Sequence, residues 1–216
     1  MLWSLSIKIW LEGNSLDKVK VGIMGGTFDP IHNGHLILAE HSRVVFGLEK
    51  VFFIPTGKPP HKEEDISSMN HRYNMTLLAI NTNPYFYLSS IEIQREGTTY
   101  TIDTIKSLQS KYRNTEFYFI IGSDSFYNIH KWKNYKELLS LCKFIVAKRP
   151  DMDDGRLEDR VKEFNKKYKD SIYILEAPLI DISSTRTRDR IKDGLSIKYL
   201  VPEAVEFYIK KNKLYD

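Results

Sequence analysis

The stretch Val19-Lys20-Val21-Gly22-Ile23-Met24-Gly25-Gly26-Thr27-Phe28-Asp29-Pro30-Ile31-His32-Asn33-Gly34-His35 runs from an apolar strand through a glycine turn into a helix. Residues 19–24 read as the strand, and Gly34 to Phe46 carries Leu36, Ile37, Ala39, Val44 and Val45 at helical spacing. His32 and His35 therefore fall at a helix N-terminus, where unpaired backbone N–H groups and the positive end of the helix dipole favour an anion. Gly25 and Gly26 let the main chain approach a phosphate with no Cβ in the way. The two histidines are three residues apart, so both rings lie on one side of the first turn and can donate to one group. The stretch has neither the spacing of a P-loop nor a Gly-x-Gly-x-x-Gly fingerprint. No Cys or carboxylate cluster at ligand spacing completes a metal site around the histidines, so no protein metal site is expected.

Working outward, strand-like runs recur at Lys50–Pro55, Tyr85–Ile93, Glu116–Ile121, Phe144–Ala147 and Ser171–Glu176. Helical patterns fall between them at Asn70–Asn81, Thr101–Tyr112, Tyr135–Leu141, Arg156–Tyr168 and Ser184–Lys192, and a last helix is expected from about Pro202 to Lys211. This alternation predicts an α/β fold: a Rossmann-like, doubly wound parallel sheet of about six strands flanked by helices. In such sheets ligands bind beyond the carboxyl ends of the strands, and each distinctive motif of this chain falls at such an end. The segment Gly57–Ser68, rich in proline, glycine and charge, reads as a mobile loop.

The 216 residues suit one domain, expected over residues 19–216, with residues 1–18 as an N-terminal extension of no assigned role. Hydrophobic content of 42% and charged content of 28% argue against disorder and against a membrane span. The apolar start, Leu2–Leu11, is interrupted by Lys8 and has no small-residue cleavage site, so it does not read as a signal. One cysteine, Cys142, excludes an internal disulfide and suits a cytoplasmic location; its apolar neighbours make it a buried side chain rather than a nucleophile. The net charge of +4 fits phosphorylated small substrates, and Lys162, Lys166, Lys167 and Lys169 read as a solvated helix face rather than a nucleic-acid patch.

A second motif, Ile182-Ser183-Ser184-Thr185-Arg186-Thr187-Arg188, opens a helix with small hydroxyl residues and places arginines in its first turns. Capping hydroxyls plus fixed cations suit a polyphosphate. Together with Gly25–His35, this string resembles the (His/Thr)-x-Gly-His and Ile-Ser-Ser-Thr-x-x-Arg motifs of the nucleotidyltransferase superfamily. The long form of the first motif resembles the bacterial nicotinate-nucleotide adenylyltransferases in particular. The position before Arg188, often aliphatic in relatives, is Thr187 here. Ile66-Ser67-Ser68 looks similar to the second motif, but it precedes the helix of His71, Arg72 and Met75, where the resemblance assigns no triphosphate contact.

The resemblance implies a nucleotidyltransferase fold and transfer of the adenylyl group of ATP to nicotinate mononucleotide, giving nicotinate adenine dinucleotide and pyrophosphate in NAD biosynthesis. It implies His32, His35 and Arg188 as catalytic residues. ATP would be held by these with Gly25, Gly26, Thr27, Phe28, Gly122, Asp124, Ile182, Ser183 and Ser184, and Mg2+ would arrive with the nucleotide. Gly122-Ser123-Asp124 taken alone is a turn; in the family it lies by the nucleoside, and Asp124 can accept from a ribose hydroxyl. The segment Gly97–Thr104 is placed around the pyridine carboxylate, through Thr99, Tyr100 and Thr101, and Trp132 against the nicotinate ring. Lys58 and His61 are candidate contacts to the mononucleotide phosphate; taken alone they are solvated loop charges. Two rival readings are a preference for the amidated mononucleotide and a nucleotide sensor without turnover. No nucleic-acid or membrane partner is expected, and the homo-oligomer that the family implies is fixed by nothing in this sequence.

Overall fold

The computed structural model describes residues 18–58, 66–148, 155–178 and 181–216. Six strands, β1 (Val19–Gly26), β2 (Lys50–Pro55), β3 (Phe86–Leu88), β4 (Thr115–Gly122), β5 (Lys143–Ala147) and β6 (Ile172–Leu175), form one sheet in the order β3-β2-β1-β4-β5-β6. Every pairing is parallel. The chain builds outward from β1 to β3, then returns to the other side of β1 with β4. That reversal opens a crevice at the carboxyl ends of β1 and β4.

The eight α-helices among the described residues are α1 (Asn33–Phe46), α2 (Met69–Ile80), α3 (Thr101–Lys111), α4 (Ser123–Tyr127), α5 (Tyr135–Leu141), α6 (Arg156–Tyr168), α7 (Ser184–Lys192) and α8 (Glu203–Lys211). Strand side chains alternate between two cores. Val21, Ile23, Phe117 and Phe119 point to one face, covered by Ile102, Ile105 and Leu108 of α3, by α5 and by α6. Met24, Tyr118 and Ile120 point to the other, against Ala39 of α1, Met75 and Ala79 of α2, and Val205 and Ile209 of α8. Central strands buried on both faces explain their almost unbroken apolar runs.

Two expectations change. The run at Tyr85–Ile93 pairs with β2 only over Phe86–Leu88; beyond Ser89 the chain turns, with Gln94 N–H donating to Ser90 O and Arg95 N–H to Glu92 O. Val44 and Val45 of α1 are exposed, and the buried stripe of that helix is Ala39 and Ser42. Helix α1 then stops at Gly47, in the left-handed region at φ 61°. The Lys162–Lys169 face is solvated as expected, and Cys142 is buried, with burial pushing its thiol up. Most of the segment Gly57–Ser68 lies outside the described residues.

Candidate active site

A cleft of about 1490 Å3 opens over the carboxyl ends of β1 and β4. At its centre the turn from β1 into α1 is shaped by close packing. A Cβ on Gly25 would stand 2.9 Å from the ring of Phe119, and one on Gly26 would stand 2.9 Å from the ring of Phe28. Phe28 takes a positive φ of 52° and buries its ring beside His35, edge to face at 5.1 Å between centroids. Its side chain thus supports His35 and is absent from the cleft wall.

His32 is the N-cap of α1 and His35 lies in its first turn. The two rings stack at 3.7 Å between centroids, 26° from parallel. The main-chain N–H of His32 donates to Nδ1 of His35 at 3.2 Å. A nitrogen that accepts carries no proton, which leaves the ring hydrogen of His35 on Nε2. Burial lowers His32 to a pKa of about 4; burial and the neighbouring His32 hold His35 well below the usual histidine range. Near neutral pH both rings are uncharged N–H donors rather than cations.

The main-chain carbonyls of this turn are held from other elements. Arg188 Nη1 donates to Asp29 O at 2.7 Å and Ser184 Oγ to Pro30 O at 2.9 Å, both from α7. Arg72 Nη1 donates to Thr27 O at 2.8 Å from α2. Arg72 is 2% exposed and also reaches Thr56 O, Gly57 O and Ser67 O, so its charge is solvated by four peptide carbonyls instead of water. Burial lowers its pKa, and the carboxylate of Asp29 opposes that shift. Helix α7 starts where Ser183 Oγ accepts from Arg186 N–H. Thr187 is fully buried and donates its hydroxyl to Ser183 O at 2.9 Å, so it packs with its polar atom satisfied. Ser68 likewise caps α2, and Ser67 N–H donates to Asp29.

The opposite wall is built from main chain around one carboxylate. Glu92 is buried, accepts from Thr104 Oγ1 at 2.8 Å, and takes Gly57 N–H at 3.4 Å. A Cβ on Gly57 would stand 2.4 Å from Glu92 O. Thr99, also buried, donates its N–H to Lys58 O at 3.0 Å. Tyr100 is the N-cap of α3, so Thr101 opens that helix at the cleft. Lys133 lies 4.2 Å above the Tyr100 ring and 3.4 Å from Asp103. Trp132 meets Phe119 edge to face at 5.9 Å and lines the cleft.

The cleft thus gathers Gly25, Gly26, Thr27, His32, His35, Thr99, Tyr100, Thr101, Gly122, Asp124, Trp132, Ile182, Ser183, Ser184 and Arg188. Lys58 is exposed and borders a separate hollow beside Arg72 and Arg95, while His61 lies outside the described residues. Among the described residues no group of three or more His, Cys, Asp or Glu could hold a metal ion. Residues 23–190 match the cytidylyltransferase-like family. The chain is 49% identical over 200 residues to a probable nicotinate-nucleotide adenylyltransferase of Thermoanaerobacter sp., covering 92% of this chain and 95% of that one. The chain belongs to the nicotinate-nucleotide adenylyltransferases.

A family member from Moorella thermoacetica is 47% identical over 91% of both chains. Among solved structures, the Plasmodium falciparum nicotinic acid mononucleotide adenylyltransferase complexed with NaAD superposes with a TM-score of 0.75 at 25% identity, over 91% of this chain and 97% of that one. The sequence places the two motif helices, whereas Arg72, Glu92 and Tyr215 emerge only from the hydrogen bonds of the structure. An arginine and a glutamate at apolar-patterned positions were the available signal for the first two. Nothing local marks Tyr215.

Proposed function

We propose that the chain joins the phosphate of nicotinate mononucleotide to the adenylyl group of ATP, releasing pyrophosphate. The observation that carries this reading is the convergence of two uncharged histidines, Arg188, Ser184 and the N-terminus of α3 on one cleft. A mononucleotide phosphate oxygen attacks the α-phosphorus while the bond from that phosphorus to the bridging oxygen breaks and pyrophosphate leaves. The nucleophile is already anionic, so no base and no covalent intermediate is needed; catalysis is alignment and stabilisation of charge.

Thr27, His32 and His35 are assigned to the α-phosphate, where Nε2–H of His35 donates. Neutral donors suit that task because they strengthen with developing negative charge without holding the ground-state triphosphate as tightly as cations would. Arg188 and the main-chain N–H of Ser184 at the start of α7 are assigned to the leaving pyrophosphate, together with the magnesium ion that would enter as part of the nucleotide. Gly122 and Asp124 are assigned to the nucleoside. Thr99 to Thr101 at the start of α3 are assigned to the pyridine carboxylate and Trp132 to the ring; Lys58, which borders the separate hollow beside Arg72, is given no substrate contact.

Pyrophosphate release from MgATP, with nicotinate mononucleotide and its amide compared side by side, is the test. Strong preference for the acid supports the assignment of residues 99–101. Equal rates would remove that assignment, and ATP binding without release from either would leave a nucleotide sensor.

A further inference from the structure

Asp29 presents two faces to the site. Its main-chain carbonyl accepts from Arg188 Nη1, and its carboxylate, 3% exposed, accepts from Tyr215 Oη at 2.7 Å and from Ser67 N–H at 3.3 Å. Tyr215 is itself half-buried, lies beyond α8 with a positive φ of 71°, and sets its hydroxyl 3.9 Å from Met75 Sδ. Burial and the bond to Asp29 raise the pKa of this phenol, while the nearby Arg188 opposes that rise. A carboxylate freed from these partners is drawn to the guanidinium that already bonds the main chain of the same residue. The phenol and the Ser67 amide occupy one carboxylate oxygen each and hold it off the arginine.

We propose that Tyr215 is a positioning residue: by anchoring the Asp29 carboxylate it keeps the Arg188 guanidinium available to a nucleotide polyphosphate. Without the hydroxyl, Asp29 turns toward Arg188 and competes with the triphosphate for its charge. The proposal rests on the reading of Arg188 as a polyphosphate ligand.

The test is the affinity for an ATP analogue with a methylene α,β-bridge, measured calorimetrically with magnesium on the full chain. Four proteins are compared: the wild type, Tyr215→Phe, Arg188→Gln and the double variant, with thermal melting run in parallel. Tyr215→Phe is expected to weaken binding about threefold to tenfold in the wild-type background and less than about twofold in the Arg188→Gln background, where no cation is left to compete for. Asp29→Asn, which removes the competing charge and keeps the side-chain shape, is expected to abolish the effect of Tyr215→Phe on binding and serves as the second variant. Unchanged affinity overturns the proposal, and so does an equal loss in both backgrounds, the signature of general loosening. A wild type that fails to bind the analogue overturns the reading of the site itself, which separates that failure from this one.

Discussion

The two walls of the cleft are held by opposite means. On the side of the two histidines, side chains from α2 and α7 reach in and bind the carbonyls of the 27–30 turn. On the side proposed for the acceptor, main chain closes on main chain around Glu92, with Gly57 too tightly placed to carry a Cβ. The first arrangement fixes directions of donors and cations, which is what a charge-stabilising site needs. The second fixes the shape of a slot, which is what selects an acceptor. Damage to the first wall should therefore appear as lost rate, lost nucleotide affinity or lost fold, and damage to the second as lost affinity for the acceptor alone.

The strongest attempt to break this division is His35→Ala. It is expected to lower kcat about 100- to 1,000-fold with a KM for ATP within a few-fold of wild type, by steady-state pyrophosphate release. A loss confined to KM would place His35 in ground-state binding and blur the contrast. Next is Arg72→Met, which leaves four buried carbonyls without their donor and is expected to cost about 3 kcal/mol or more in denaturant unfolding. A loss under about 1 kcal/mol would show that the turn stands without it.

The protonation of the histidines supplies a third, smaller effect. Because the folded protein holds His32 near a pKa of about 4, against an ordinary 6.5, the unfolded chain binds the extra proton between those values. Stability is then complete above about pH 6.5 and falls as pH drops toward 4, by about 2 kcal/mol between pH 7 and 5 from His32 alone. His32→Asn should flatten this slope in melts across that range. The smallest effect sharpens the acceptor side: Gly57→Ala, pushed against Glu92 O, is expected to raise the KM for the mononucleotide about tenfold and leave that for ATP unchanged. A parallel rise in both would mean that the walls are one mechanical unit.

The sheet and most helices were legible in the sequence because they follow from periodicity and caps: Tyr135–Leu141, Arg156–Tyr168 and Ser184–Lys192 have the bounds that patterning gives. The alternation at Tyr85–Ile93 misled, since Glu92 leaves the strand register to meet Gly57 and Thr104. At the site, contiguous motifs announced themselves, whereas the groups that hold them did not. Arg72 meets Thr27 from 45 residues away and Tyr215 meets Asp29 from 186, and no local pattern encodes such meetings.

Consider last the place of β1 in the order of synthesis. Among the described residues it is the first strand made, and it lies inside the sheet, yet one of its edges waits for Thr115–Gly122, and its turn waits for Ser184, Arg188 and Tyr215. On a chain emerging from the ribosome at about 5–20 residues per second, the glycine-rich turn is exposed for roughly ten seconds or more before those partners exist. The turn that carries His32 and His35 is thus written early and closed late.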